Sequence, residues 1–161
     1  MFKYLFIFFF FFSLSLKAKD LVIVDIDFLI QNSKLGKNII KNLDTQNKKI
    51  NEVFLVKEND FKTIEKTLIS KKNILDEDEF GKEVEIFKKE IDDYNIDKEK
   101  KLKDFAALRN KKLNELYTKI NEILLKYSEE NNIITVIDKK YILLSKTEND
   151  ITSEILNLLN K

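Results

Sequence analysis

The chain has 161 residues with 29 basic and 28 acidic side chains, so its formal net charge is +1. It contains no Cys and no His, which excludes disulfides, thiolate nucleophiles and the commonest general base and metal ligand. The near-neutral balance gives no strong attraction to nucleic acid or to an anionic membrane. Pro is absent and Gly occurs only twice, which suits long, uninterrupted helices.

The first twenty residues, MFKYLFIFFFFFSLSLKAKD, have the three-part pattern of a secretory signal peptide. Lys3 precedes an apolar run that reaches about Leu16, and the small residue Ala18 comes before a charged stretch. The run is shorter than the ~20 residues that a membrane-spanning helix needs. We therefore predict a signal peptide over residues 1–18, with cleavage after Ser15 and an uncleaved membrane anchor as alternatives. Removing it takes two lysines from the 29 basic residues and leaves 27 against 28 acidic ones.

A buried strand is predicted directly after this segment, over the aliphatic residues 21–24. From Phe28 onward apolar residues recur at three- and four-residue steps as far as Leu75, the pattern of an amphipathic, coiled-coil helix. Gly36 lies near the start of this pattern. We expect it to mark a break between a short first helix and a long second one.

A helix end is predicted near Leu75 and a new helix start at Asp76. Asp76 followed by Glu79 has the spacing of a capping box, with Asp in place of the usual Ser or Thr. The next helix carries heptad steps with two slips, and each slip shifts the apolar stripe around the helix. Two helices of similar length, joined near residues 75–77, should fold back as an antiparallel hairpin over residues 31–130, roughly 65 to 70 Å long.

The C-terminal stretch NNIITVIDKKYILLSKTENDIT contains two short apolar runs, residues 133–137 and 141–144, separated by Asp-Lys-Lys. This pattern predicts strand, turn and strand, followed by a short helix capped by Asp150. The N-terminal strand would join this hairpin in a three-stranded piece with open edges, which favours closure of several chains into one body. That body would comprise residues 19–30 and 131–161. Its candidate oligomer-core residues are Ile23, Ile134, Val136, Ile142 and Leu144.

Two short motifs have rival chemical interpretations. In VIVDID, Asp25 and Asp27 have the spacing of the haloacid-dehalogenase nucleophile motif, but Phe28 and Leu29 follow where those enzymes usually carry a small polar pair. The alternation of strands and helices that a parallel sheet needs is also absent from the next hundred or so residues. LDEDEFGKE lacks the spacing of an EF-hand loop. We interpret both motifs as helix starts and predict no enzyme activity, no catalytic residues, no cofactor and no metal.

Both ends of the chain resemble the OmpH/Skp family of periplasmic chaperones. LVIVDIDFLIQNSKLGK is similar to the family's opening strand and first helix, including the Ser33–Gly36 spacing. NNIITVIDKKYILLSKTENDITSEILNLLNK is similar to its closing segment, with Asp-Ile-Thr before the last helix. The middle matches only in pattern. The resemblance implies a homotrimer, in which a small β-body carries three helical hairpins that hold unfolded outer-membrane proteins without ATP.

The predicted fold class is therefore α+β, mostly α: a long antiparallel helical hairpin that projects from a small β-body completed by trimerisation. The predicted function is that of a periplasmic holdase for unfolded outer-membrane proteins. Because the chain lacks the strongly basic character of many family members, we expect contact with membrane or lipopolysaccharide to be weak at most. The alternative is a membrane-anchored structural or adaptor coiled coil of the cell envelope.

Four phenylalanines on the apolar stripes are candidate client-binding residues: Phe54, Phe61, Phe80 and Phe87. A holdase needs some apolar surface that stays exposed and adaptable. The alternative for each ring is that it only holds the two helices together.

Overall fold

The computed structural model describes residues 21–161, and the predicted signal peptide lies outside the described residues. The elements in chain order are β1 (Leu21–Val24), α1 (Ile26–Asn32), α2 (Lys34–Lys71), α3 (Glu77–Glu130), β2 (Thr135–Asp138) and α4 (Thr152–Leu159). Two short 3-10 turns, Lys139–Tyr141 and Thr147–Asn149, lie between β2 and α4. The result is a long helical hairpin, here called the rod, on a small α/β root formed by β1, β2, α1, α4 and the adjoining end of α3.

Asp25 ends β1 and starts α1. Its side chain accepts a hydrogen bond from the Phe28 amide at 2.8 Å, and its own amide donates to the Thr152 hydroxyl at 2.8 Å. A capping carboxylate of this kind satisfies an amide at the helix start that has no partner within the helix. Asp25 therefore has a structural role. This confirms the prediction that VIVDID marks the end of a strand and the start of a helix.

The helix break near Gly36 is present and lies three residues earlier, at Ser33. The Ser33 backbone is extended, and its buried hydroxyl accepts from the Gly36 amide at 3.0 Å. Gly36 lies directly against the carbonyl oxygen of Ile30, because a Cβ added at Gly36 would be only 1.8 Å from that atom. The absence of a side chain at this position allows α1 and α2 to meet at the kink.

The tip of the rod is a short turn between Lys71 and Glu77. The predicted cap is confirmed, since the Asp76 carboxylate accepts from the Glu79 amide at 2.8 Å. The first arm ends at Lys71, four residues earlier than predicted. The arms also differ in length, with 38 residues in α2 and 54 in α3, or about 57 and 81 Å at the usual helical rise. The prediction of two helices of similar length was wrong because α2 begins only after Ser33 and ends early at Lys71, whereas α3 continues into the root.

The sheet differs from the predicted one. β1 pairs with β2 in parallel, with Val22 opposite Val136, and residues 141–144 form no strand in the described chain. The prediction of an antiparallel hairpin there was wrong for a local reason. The linking Asp-Lys-Lys has neither the Gly nor the Asn that tight hairpin turns require, and Asp138 instead accepts from the Lys140 amide and starts a 3-10 turn. On its other edge β1 bridges to Asp150 through Ile23.

The hydrophobic core lies in the root. Its buried side chains come from β1, α1, α3 and the start of α4, and each is 9% exposed or less: Val22, Val24, Leu29, Ile30, Leu116, Ile120, Ile151 and Ile155. The amide and ammonium groups of Lys34 donate to Asn160 at 2.7 and 3.0 Å, which fixes the end of α4 against the start of α2. One chain therefore builds a closed root core from segments at both of its ends.

Candidate functional site

The two arms of the rod meet along a narrow seam. On α2 a single row of buried side chains faces the other arm: Leu43, Phe54, Phe61 and Leu68. On α3 no side chain before Leu116 is buried among the described residues, so this row meets half-buried partners. A two-helix rod has no third element to cover it, and much of its apolar surface stays in contact with solvent.

Three of the four candidate phenylalanines hold the arms together. The Tyr94 ring packs edge to face against Phe54 and Phe61, with centroid distances of 6.1 and 5.2 Å, and Phe61 packs in the same way on Phe87 at 5.9 Å. Phe80, nearer the tip, is half-buried. Three of these rings therefore belong to the seam, and the assignment of all four to client binding stays a prediction.

A polar contact links the arms beside this aromatic layer. The Tyr94 hydroxyl donates to the Glu58 carboxylate at 2.8 Å, and the Lys98 ammonium donates to the same oxygen at 2.6 Å. The hydrogen bond from Lys98, followed by that from Tyr94, holds the pKa of Glu58 below its usual value. Burial and the contact with Glu58 raise the pKa of the Tyr94 hydroxyl. The Lys98–Glu58 pair is partly exposed, so it contributes little to stability.

Both arms and the tip of the rod also carry exposed aliphatic side chains outside the buried row of the seam. Each member of this set is more than half exposed: Val53, Leu55, Val56, Ile69, Ile74, Ile86 and Ile96. They lie among lysines and carboxylates, so the exposed surface of the rod alternates between apolar and charged groups. Sequence reasoning concentrated on Phe and did not single out this set as a binding surface. The apolar stripe predicts that a seam exists, but it does not say which of two adjacent apolar residues, such as Val53 and Phe54, enters it.

A groove crosses the rod at the aromatic layer. It has a volume of about 330 Å³ and is lined by Val53, Phe54, Lys57, Glu90, Asp93, Tyr94 and Asp97. The Phe54 and Tyr94 side chains form its floor together with Val53, and carboxylates dominate its rim. We call this feature the aromatic groove.

The root carries a second apolar surface, around the predicted oligomer core. Ile23 is buried within its own chain, and Val136 and Ile142 are half-buried. Ile134 and Leu144, by contrast, are 77% and 90% exposed. Two neighbouring large side chains, Tyr141 and Leu143, are also exposed. A single chain therefore covers only part of the predicted set, and its role as an oligomer core stays a prediction.

The described residues 21–161 contain no cluster of three or more carboxylates placed to hold a metal ion. Within the same range, no helix combines the length and the apolar character that crossing a membrane requires. The functional surfaces that the geometry offers are thus the exposed aliphatic groups of the rod, the aromatic groove and the apolar face of the root.

Comparisons with known proteins agree with this architecture. A family model described as outer membrane protein (OmpH-like) matches residues 20–159. Among solved structures, a crystal structure described as an OmpH-like outer membrane chaperone from Caulobacter crescentus superposes with a TM-score of 0.80. The two sequences are 17% identical, and the match covers 88% of this chain and 84% of the other. The search of curated proteins gave no match.

Proposed function

The chain belongs to the OmpH-like family of outer membrane proteins, and on that premise we propose that it is a periplasmic, ATP-independent holdase that binds unfolded outer-membrane proteins and prevents their aggregation. The observation that carries this proposal is the set of exposed aliphatic side chains on both arms of the rod. Exposed apolar surface of this kind is typical of sites that bind other proteins.

The proposed mechanism is capture without chemistry. Each exposed Val, Leu or Ile offers a small apolar contact, and the charged groups between them keep the rod itself in solution. An unfolded chain that touches several such contacts on several rods is held by avidity, while each contact breaks quickly. The client is released as its own folding removes its apolar segments from reach.

We further propose that the root assembles into a trimer, which would place three rods around one client. The exposed side chains of Ile134, Leu143 and Leu144 support self-association, because large apolar side chains left in solvent are typical of surfaces that bind other proteins. Leu144→Asp tests this directly. The side chain is 90% exposed in one chain, so the substitution should leave the monomer intact and lower the mass of the assembly in analytical ultracentrifugation. A trimer that survives this change would remove Leu144 from the interface.

The periplasmic location depends on cleavage of the predicted signal peptide. N-terminal sequencing of the protein extracted from the envelope should begin at Lys19, or at Leu16 if the alternative site is used. A sequence that began at Met1 or Phe2 would favour the membrane-anchored coiled coil instead.

Light scattering of a β-barrel protein diluted out of urea tests the holdase function. The mature protein should suppress aggregation in EDTA and without ATP. A shortened protein lacking residues 51–97, with a Gly-Ser turn, should lose this activity and still assemble through the root. Phe54 faces Tyr94 across the seam, so this deletion leaves the two stubs opposite one another.

A triple variant tests whether the exposed aliphatic side chains, and not merely the presence of the rod, are needed for client binding. Replacement of Leu55, Val56 and Ile96 by Ser should weaken suppression, since it removes exposed apolar area and leaves the seam and the lining of the aromatic groove intact. Leu125→Ser is the matched control, because Leu125 is also exposed on α3 but lies beside the root. If the triple variant and the shortened protein both protect the client as well as the unchanged protein, the rod is not the binding element.

A further inference from the structure

The aromatic groove combines an apolar floor with a negative rim. We propose that it binds extended client segments in which a lysine or arginine follows an apolar residue. This inference rests on the proposed holdase function and deepens it, because it names the class of segment that one place on the rod prefers.

The floor of the groove is fixed before any client arrives. Phe54 is buried, and its ring packs edge to face on Tyr94. The Tyr94 hydroxyl is held in turn by Glu58 at 2.8 Å. The volume of about 330 Å³ lies at the lower end of the usual range for small-ligand sites, which suits a few side chains of an extended segment.

The rim selects for positive charge. It contains three carboxylates, Glu90, Asp93 and Asp97, and one ammonium group, that of Lys57. Among the described residues Glu90 and Asp93 make no ion pair. Asp97 accepts from Lys101 at 2.6 Å, but that pair is exposed and therefore weak. The lining thus has three carboxylates against one ammonium group, and Glu90 and Asp93 remain available to a cation although Lys98 and Lys101 lie close by.

The rings of this layer already accept ammonium groups from the chain itself. The Lys98 nitrogen lies 5.3 Å from the Phe54 centroid and 5.5 Å from that of Tyr94. The Lys57 nitrogen lies 4.9 Å from the Phe61 centroid. Contacts of this kind are attractive because the ring face is negative. A client lysine could pack its aliphatic stem on Val53 and place its charge between the rings and the rim.

The test measures fluorescence anisotropy of the mature, full-length protein with short labelled Gly-Ser peptides. One peptide carries two Phe-Lys pairs, and matched peptides replace Lys by Ser or by Glu. We expect the lysine peptide to bind best. Glu90→Gln combined with Asp93→Asn should weaken its binding roughly three- to tenfold and remove the preference over the serine peptide. Asp92→Asn combined with Glu99→Gln is the control, since it makes the same change of charge on α3 outside the groove and should have no effect.

A second measurement locates the peptide. With a benzophenone in place of one Phe, the crosslinks should map to residues 53–57 and 90–97. The proposal is overturned if both double variants weaken binding equally, if lysine confers no preference, or if the crosslinks map elsewhere. It is also overturned if the groove variant changes the mass of the assembly, because the groove would then contact another copy of the chain.

The two proposals can fail separately. If the protein does not suppress client aggregation but keeps the lysine preference at the groove, the holdase function is wrong and the groove is a binding site for other cationic segments. If suppression is intact and the preference is absent, only the groove assignment is wrong.

Discussion

The root and the rod use apolar residues in opposite ways. In the root, side chains from β1, α1, α3 and α4 enclose one another, so that Leu116 and Ile120 have no exposed surface. In the rod one buried row faces half-buried partners, and aliphatic side chains such as Val56 and Ile96 remain exposed. The difference follows from the number of layers, because two helices alone cannot enclose a core and several elements that meet at one place can.

This comparison explains how one chain can be both stable and adaptable. The root supplies most of the burial that resists unfolding, since stabilisation rises with the apolar area removed from water. The rod supplies length, exposed apolar groups and weak ion pairs. Changes in the two regions should therefore have different consequences, and the following predictions are ordered from the largest expected effect to the smallest.

Ile120→Ala should cause the largest loss. The side chain is fully buried in the root core, and truncation leaves a cavity that costs about 2–5 kcal/mol in the free energy of unfolding. Urea denaturation followed by circular dichroism measures this change. Ile96→Ala is the control on the same helix, and because Ile96 is mostly exposed we expect a change within about 0.5 kcal/mol. Equal losses at the two positions would contradict the division between root and rod.

Gly36→Ala tests the junction between the two regions. The added Cβ would overlap the Ile30 carbonyl, so α1 and α2 must move apart at a cost of about 1–3 kcal/mol. Gly81, the chain's other glycine, provides a control in which the same substitution should raise stability. A Cβ at Gly81 meets nothing within 4 Å, and Gly81→Ala in the interior of α3 should stabilise the rod by about 0.5–1 kcal/mol. Thermal melts of both variants should therefore shift in opposite directions.

Phe61→Ala should act locally on the rod. The ring joins Phe87 and Tyr94 across the seam, and its loss should cost about 1–2 kcal/mol, less than in a closed core because the arms can relax. Hydrogen exchange should become faster along the middle of α2 and α3, while the amides of the root keep their protection. Ile69→Ala, which removes an exposed side chain of the same arm, should change neither the exchange rates of the rod nor those of the root. Faster exchange throughout the root would show that the two regions unfold as one unit.

The smallest expected effect is the loss of root stability in acid. Burial acts to raise the pKa of Asp150, but the hydrogen bonds from Lys139 and Thr152 outweigh it and hold that pKa below its usual value. The pair with Lys139, 2.8 Å apart, therefore contributes stability that is fully present above the usual pKa of an unfolded Asp and is lost as the pH falls through the lowered pKa of Asp150. Thermal melts should show this acid-dependent loss, and it should be smaller in Asp150→Asn, which keeps an oxygen for the Thr152 amide. An unchanged acid profile in this variant would assign the effect to other groups.

The sequence predicted those parts of the fold that local chemistry determines. Asp76 caps α3 as expected, since a capping side chain and its target amide are three residues apart. Gly36 likewise marked the break between α1 and α2 to within three residues. The family resemblance at both ends of the chain is confirmed by the match over residues 20–159.

The parts that failed depend on contacts between distant segments. The run at residues 141–144 is strand-like in composition, yet β2 pairs with β1 and that run forms no strand. The contact of Tyr94 with Glu58 depends on the register of the two arms. Heptad steps with slips predict a stripe on each helix but do not fix which positions face each other. For the same reason, the aromatic groove could not be located from the sequence.

The parallel pairing of β1 with β2 constrains the order in which the chain can fold. Val22 and its partner Val136 are 114 positions apart, whereas the two arms meet first at a turn of a few residues. Contacts between near neighbours form faster than contacts that close a long loop. The arms should therefore pair first, starting at the tip. The first strand is synthesised early but can pair only after the last sixth of the chain, which contains β2, has been made. Until the C-terminal segment has left the ribosome, β1 has no partner in the sheet, and a chain truncated before β2 should form the rod but not the root.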